Sequence, residues 1–144
     1  MRNPTLSTAG LTILRVVTGF IFAAHGWQKY TEFTIAGTQA SFADMGVPLA
    51  DIAAPVISTL ELVGGIALIF GLLARPFAAL LVLDMLGALI IVHAPNGIFV
   101  TNNGYELVLI LGAAALTIAL LGPGRLSVDH ALFGRRHSRM SALA

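Results

Sequence analysis

Leu14–Tyr30 reads LRVVTGFIFAAHGWQKY, and it completes a run from Leu6 to Trp27 in which Arg15 is the sole Asp, Glu, Lys or Arg. About 20 mainly apolar residues suffice to cross the hydrocarbon of a bilayer. The run therefore predicts a membrane-spanning helix with a guanidinium inside it. Asn3 and Pro4 supply start signals, Trp27 and Tyr30 are amphipathic aromatics suited to head-group depth, and Lys29 can snorkel outward from the same end. Arg2 before an apolar stretch and Ala24-His25-Gly26 within it weakly resemble a cleaved signal peptide. Arg15 would interrupt the apolar core of such a signal, so a retained first helix is expected.

The rest of the chain has the same character. Of 144 residues, 57% are hydrophobic and 10% charged, and the mean hydropathy is +0.89, values that place the chain outside ordinary water-soluble domains. Cysteine is absent, which excludes a disulfide, a thiolate metal site, iron–sulfur ligation or a thiol relay built from this chain. A net charge of +1, with no basic stripe interleaved with aromatics, gives no support for nucleic-acid binding.

Further apolar segments predict three more helices, at about 52–73, 76–93 and 105–121, with the first at about 6–27. Pro55 is expected in the first turn of the second helix, where its missing N–H costs little. Arg75-Pro76 makes a tight break, Pro95-Asn96-Gly97 and Asn102-Asn103-Gly104 bracket the next loop, and Gly122-Pro123-Gly124 ends the fourth helix. In the longer connection from Thr31 to Leu49, Ile35, Phe42 and Met45 recur at helical spacing, predicting a short interfacial helix. The expected fold is all-α: an integral membrane four-helix bundle over 1–124, with that short helix in the first outer loop, and a basic tail over 125–144. Arg2, Arg75, Arg125, Arg135, Arg136 and Arg139 fall on one side of the spans and Lys29 on the other. The excess of basic residues predicts that both termini are cytoplasmic. The tail would then be held by topology and by anionic lipid, with His130 and His137 solvated.

The informative residues are those the bilayer penalises. An ionisable side chain at the bilayer centre costs about 2.5–3.5 kcal/mol on insertion scales, so Arg15, Glu61, Asp84 and Glu106 ought to face inward. Counting at about 1.5 Å per residue puts Arg15 and Asp84 at one depth and Glu61 about a turn higher. Arg15 is accordingly expected to pair with Asp84, Glu61 or both. Glu106 should lie level with His25 and His93 at the outer ends of their helices. Arg15, Thr18, Phe22, His25 and Lys29 follow a three-four spacing on one stripe flanked by Gly19 and Gly26, while Ser58, Glu61 and Gly65 share a stripe beside Gly64. The candidate intramembrane polar site is thus Arg15, His25, Lys29, Glu61, Asp84, His93 and Glu106. It can serve proton exchange or head-group binding, since histidine titrates near neutrality, or be a buried network that fixes helix register. No ligand spacing such as HxxxH or ExxH occurs within one helix, so no metal site is expected.

With these residues in place, the chain resembles the DoxX family of small bacterial membrane proteins. The resemblance rests on LRVVTGFIFAAHGWQKY, FADMGVP, LELVGGIALIFGLLARPFA and NNGYELVLILGAAAL, which span most of residues 11–121. It implies a four-helix bundle in the bacterial plasma membrane and an association with redox physiology. Motif matching marks Arg15, His25, Lys29, Glu61 and Glu106 without assigning them catalytic roles.

Three functions follow as expectations. The first is an accessory or anchoring subunit of a redox-linked membrane complex, respiratory, quinone-linked or photosynthetic. It would not be catalytic alone, because no electron carrier is visible in the chain. The second is a quinone-linked oxidoreductase subunit whose intramembrane site combines apolar walls with a few convergent polar groups. The third is a small-molecule or lipid transporter. No intrinsic cofactor is predicted and a quinone is the candidate ligand. Expected partners are membrane lipids and either proteins of a membrane complex or further copies of the chain, packed through Gly64, Gly65, Gly71 and Ala113–Ala115.

Overall fold

A computed structural model describes residues 4–133, so Arg2, Asn3, Arg135, Arg136, His137 and Arg139, which enter the start, orientation and tail expectations, lie outside the described residues. The described chain is helical and carries no strand. Helix α1 spans Pro4–Thr31, α2 Ile35–Asp44, α3 Ala50–Phe70, α4 Ala74–Gly87, α5 Glu106–Leu121 and α6 Val128–Phe133. Beyond Gly87, α4 widens into a π-helical turn, Ala88–His93, and then tightens into a 3-10 turn, Ala94–Asn96. The short helix expected in the first connection is α2, capped by Thr34, whose side chain accepts the Gly37 N–H at 3.2 Å.

Thr5–Thr31, Ala50–Phe70 and Ala74–Asn96 are long and apolar enough to cross a membrane. The fourth helix expected from the sequence, α5, is apolar but has 16 residues, about 24 Å at the α-helical rise. The loop before it folds back on itself, with Tyr105 N–H donating to Gly97 O and Glu106 N–H to Ile98 O. Large apolar side chains such as Phe20, Phe70, Leu83, Ile90 and Ile110 cover the exterior, the pattern expected of helices solvated by lipid.

The bundle is assembled from two pairs, α1 with α3 and α4 with α5, and α2 lies against α3. A Cβ placed on Gly19, Gly26 or Gly65 would come within 3 Å of backbone atoms on the facing helix. The α1–α3 seam is therefore a backbone-to-backbone approach that only glycine permits. Gly64 faces Phe77 and Leu81, and Gly71 faces the Arg15 guanidinium. Gly64, Gly65 and Gly71 are thus used in packing within the chain. Phe22, Leu68, Leu81, Met85, Leu111 and Ile118 form the buried core between the pairs.

Two sequence expectations need correction. Pro55 is the sixth residue of α3, beyond its first turn, where it deprives the Asp51 carbonyl of its helical donor. Gln39 Nε2 of α2 donates to that carbonyl at 2.8 Å instead. Arg15, expected to pair with Asp84 or Glu61, caps the end of α3. Its Nη1 donates to Leu68 O at 2.7 Å and Ile69 O at 3.0 Å, and its Nη2 to Leu126 O at 2.7 Å. Counting from the predicted helix start failed because the first two turns of α1 run past the end of α3, so residue 15 meets the last turn of its neighbour. The last carbonyls of a helix lack internal partners and carry partial negative charge, which a cation satisfies.

The negative charge near Arg15 is Asp129, fully buried on α6. Its carboxylate accepts Leu73 N–H at 2.8 Å and Ala74 N–H at 3.0 Å, capping the start of α4, while its own N–H donates to Gly71 O. The segment after Gly124, read from sequence as the start of a tail, is tied into the bundle here.

Two stability outcomes follow. Gly26→Ala should cost about 1–3 kcal/mol through overpacking, whereas Gly87→Ala, whose Cβ would meet nothing within 4 Å, should be neutral or gain up to about 1 kcal/mol; unfolding in detergent micelles measures both. Asp129→Ala should cost about 0.5–2 kcal/mol, the usual loss of a cap, and speed proteolysis between Gly122 and Phe133.

Candidate functional site

The glycine seam dictates what happens at the opposite end from Arg15. With α1 and α3 in contact at Gly26, the next turn of α1 brings Lys29 against Glu61, and Lys29 Nζ donates to Glu61 Oε2 in an ion pair. The Glu61 residue is 5% exposed, so the pair is screened from solvent on the carboxylate side. Beside it, the Tyr30 hydroxyl bonds Thr59 Oγ1 at 2.6 Å. Thr59 gives its own proton to Pro55 O, so Tyr30 is the donor.

His25 and His93 are both held by the ring nitrogen nearer the backbone. His25 Nδ1 lies 2.9 Å from Ile21 O and His93 Nδ1 lies 2.8 Å from Asn103 O. A carbonyl only accepts, so Nδ1 carries the proton in each ring, and in the neutral imidazole Nε2 is left as an acceptor. His93 ends the π-helical turn of α4, a distortion frequent at functional sites. Asp84, farther along α4 from this turn, lies within electrostatic reach of Glu61 and Lys29. Its Oδ2 is buried without a hydrogen-bond partner among the described residues.

These five side chains, His25, Lys29, Glu61, Asp84 and His93, line one cavity of about 770 Å³. Its remaining walls are largely apolar and include Phe22, Phe33, Phe42, Met85, Leu107 and Leu111. Volume and lining match sites for small molecules, in which apolar walls surround a few polar groups that fix orientation. Two of the expected site residues are absent from it. Arg15 is engaged at the other end of the bundle, and Glu106 Oε1 accepts Val100 N–H at 2.6 Å, tying down the loop ahead of α5.

A family model described as DoxX matches residues 10–94. The chain belongs to the DoxX family. The matched span contains His25, Lys29, Glu61, Asp84 and His93 of the cavity, together with Arg15. Among curated relatives, the chain is 35% identical over 136 residues to "Putative oxidoreductase CatD" of Bacillus subtilis, covering 92% of this chain and 95% of that protein. It is 31% identical over 127 residues to "Inner membrane protein YqjF" of Escherichia coli, covering 88% and 95%. It is 32% identical over 129 residues to "Inner membrane protein YphA" of the same organism, covering 83% and 87%. No solved structure matches the chain.

Several residues of this DoxX site escape a reading of the sequence. Phe33 and Phe42 reach the cavity from the α2 region, and Asn103 closes it by holding His93. The turn pattern Asn102-Asn103-Gly104 marks a loop but not which ring it anchors. Asp129 had a usable signal: Ser127, three residues after Gly124, accepts the His130 N–H at 3.1 Å as a helix cap, and a cap after a glycine turn announces a new helix.

Lys29 and Glu61 provide a test of the site's energetics. Lys29→Met leaves a buried carboxylate unpaired and should cost about 3–5 kcal/mol, while Lys29→Met with Glu61→Met should recover most of that loss. Denaturant titration of the two variants and the Glu61→Met single measures the coupling. A double variant as unstable as the sum of the singles would show that the pair is not an independent unit.

Proposed function

We propose that this DoxX protein is the quinone-binding membrane subunit of a redox complex, working with a protein partner that supplies or accepts electrons. The observation that carries the reading is the single cavity in which His25, Lys29, Glu61, Asp84 and His93 converge among aromatic and aliphatic walls. Its polar groups and flat apolar side chains fit a small ring bearing oxygens better than the long chains of a phospholipid. The word oxidoreductase in the name of the Bacillus subtilis relative adds support. The lack of cysteine is the reason to place the electron carrier on a partner.

A quinone, when bound, supplies two-electron, two-proton chemistry. The chain's own residues do the rest. Phe22, Phe33, Phe42 and Met85 exclude water from the ring, and the Lys29–Glu61 ion pair stands beside it. The basic residues Arg75 and Arg125, on the side opposite Lys29, favour cytoplasmic termini and a cavity toward the outer face.

The paired variant of the preceding section separates function from architecture. Lys29→Met with Glu61→Met keeps a folded bundle, and its affinity for a decyl-substituted benzoquinone should fall at least about tenfold, some 1.4 kcal/mol. Binding is read by titration into protein in lipid nanodiscs. Undiminished affinity would make the pair purely structural and remove the basis of the reading.

A further inference from the structure

The cavity has a side opening as well as an outer end. Leu83 on α4 and Ile91 on its π-helical turn line the cavity, yet they are 65% and 39% exposed, and both fall inside the apolar span Ala74–Asn96. A residue that belongs at once to the lining and to the lipid-facing surface stands at a mouth. Phe33 and Val100 are exposed lining residues too, but neither falls inside a span, so they mark the end near the head groups. Leu83, Gly87 and Ile91 recur every four residues, which places them on one stripe, and α3 contributes Ile57 and Glu61 to the same cavity. Toward the Arg15 end the two helices touch: a Cβ on Gly64 of α3 would lie 3.3 Å from Phe77 and 3.4 Å from Leu81. Farther along α4, a Cβ on Gly87 would meet nothing within 4 Å, although Gly87 also lines the cavity. The α3–α4 seam is therefore closed at Gly64 and open beside Gly87.

We infer that the ligand is a tailed, membrane-borne molecule that enters sideways between α3 and α4, its ring coming to rest in the cavity and its alkyl chain lying over Gly87 with the far end in the bilayer. The inference rests on the quinone-class reading above and adds to it the tail and the tail's seat. The mouth lies at hydrocarbon depth, where acyl chains and not water fill it, so an alkyl chain passes from lipid to an equally apolar wall. A ring bearing oxygens gains from leaving the hydrocarbon for the polar groups inside. Gly87 fits this use. Its φ of −59° is an ordinary helical value, its surroundings leave room for a side chain, and glycine weakens a helix interior relative to alanine. Neither backbone conformation nor packing requires glycine here, and a passage for a chain does.

The experiment titrates two probes, a decyl-substituted benzoquinone and the same benzoquinone without the decyl chain, into the full chain in lipid nanodiscs, as wild type and as Gly87→Leu. Each probe is compared between two proteins in one bilayer composition, so its partition into lipid cancels. Gly87→Leu should weaken the decyl probe at least about tenfold and leave the short probe within about twofold. Thermal unfolding should show the variant no less stable than the wild type, since leucine is the better helix former. Ile91→Trp narrows the same mouth by a different side chain and should repeat the pattern, so the result does not hang on the folding of one variant. Lys29→Met with Glu61→Met acts on the ring and should weaken both probes alike. A decyl probe indifferent to Gly87→Leu and Ile91→Trp overturns the lateral passage. Equal weakening of both probes by Gly87→Leu overturns it too, by assigning Gly87 to the seat of the ring. Either result leaves a quinone-class site standing, whereas failure of both probes to bind the wild type overturns site and passage together.

Discussion

Glycine brings the backbones of α1 and α3 into contact, and the polar features of this molecule are consequences of that approach. Gly19 and Gly26 meet Gly65 and Leu62 with no room for a Cβ. At such a separation, side chains one turn beyond the contact on either side are forced together. At one end the forced neighbours are Lys29 and Glu61, which neutralise each other. At the other they are Arg15 and the last carbonyls of α3, where a guanidinium satisfies groups that a helix end leaves open.

The two ends then diverge in character because different elements close them. At the Arg15 end, α6 fits into the gap, Leu126 O accepts from Nη2, and Asp129 caps α4. Both terminal nitrogens of the guanidinium are bonded there, while its Nε is buried without a partner among the described residues. At the Lys29 end no helix among the described residues fills the space between the pairs. The π-helical turn of α4, the Asn103 loop and α2 border it, leaving a cavity into which histidines and a carboxylate converge. A polar group in such a place either binds something or is costly, and that asymmetry is the physical reason for locating function at this end.

Much of the architecture was legible because hydropathy and turn residues act locally. The helices, their approximate bounds and the short helix in the first connection follow from composition and period. The shared stripes were legible as well, since Lys29 and Glu61 both lie on the faces marked by small residues. What failed was depth. Counting residues assumes that helices start at a common plane, and α1 does not, so Arg15 was assigned the wrong partners. Asp129 was missed because its charge is satisfied by backbone N–H groups 55 and 56 positions away in sequence, and no periodicity encodes such a contact. Glu106 stands at the start of α5, and the sequence does not show that its carboxylate serves the loop beside it. Intramembrane charge is a sound guide to what is buried, but it does not distinguish a knot from a site.

The most direct measurement is native mass spectrometry of the full chain extracted gently from its own membrane, with organic extraction to identify the small molecules retained. The account expects a quinone-class molecule at one per chain, retained by the intact protein and lost when the Lys29–Glu61 pair is replaced by methionines. A chain carrying only phospholipid, with the same complement in the paired variant, would contradict it and leave the buried charges as architecture.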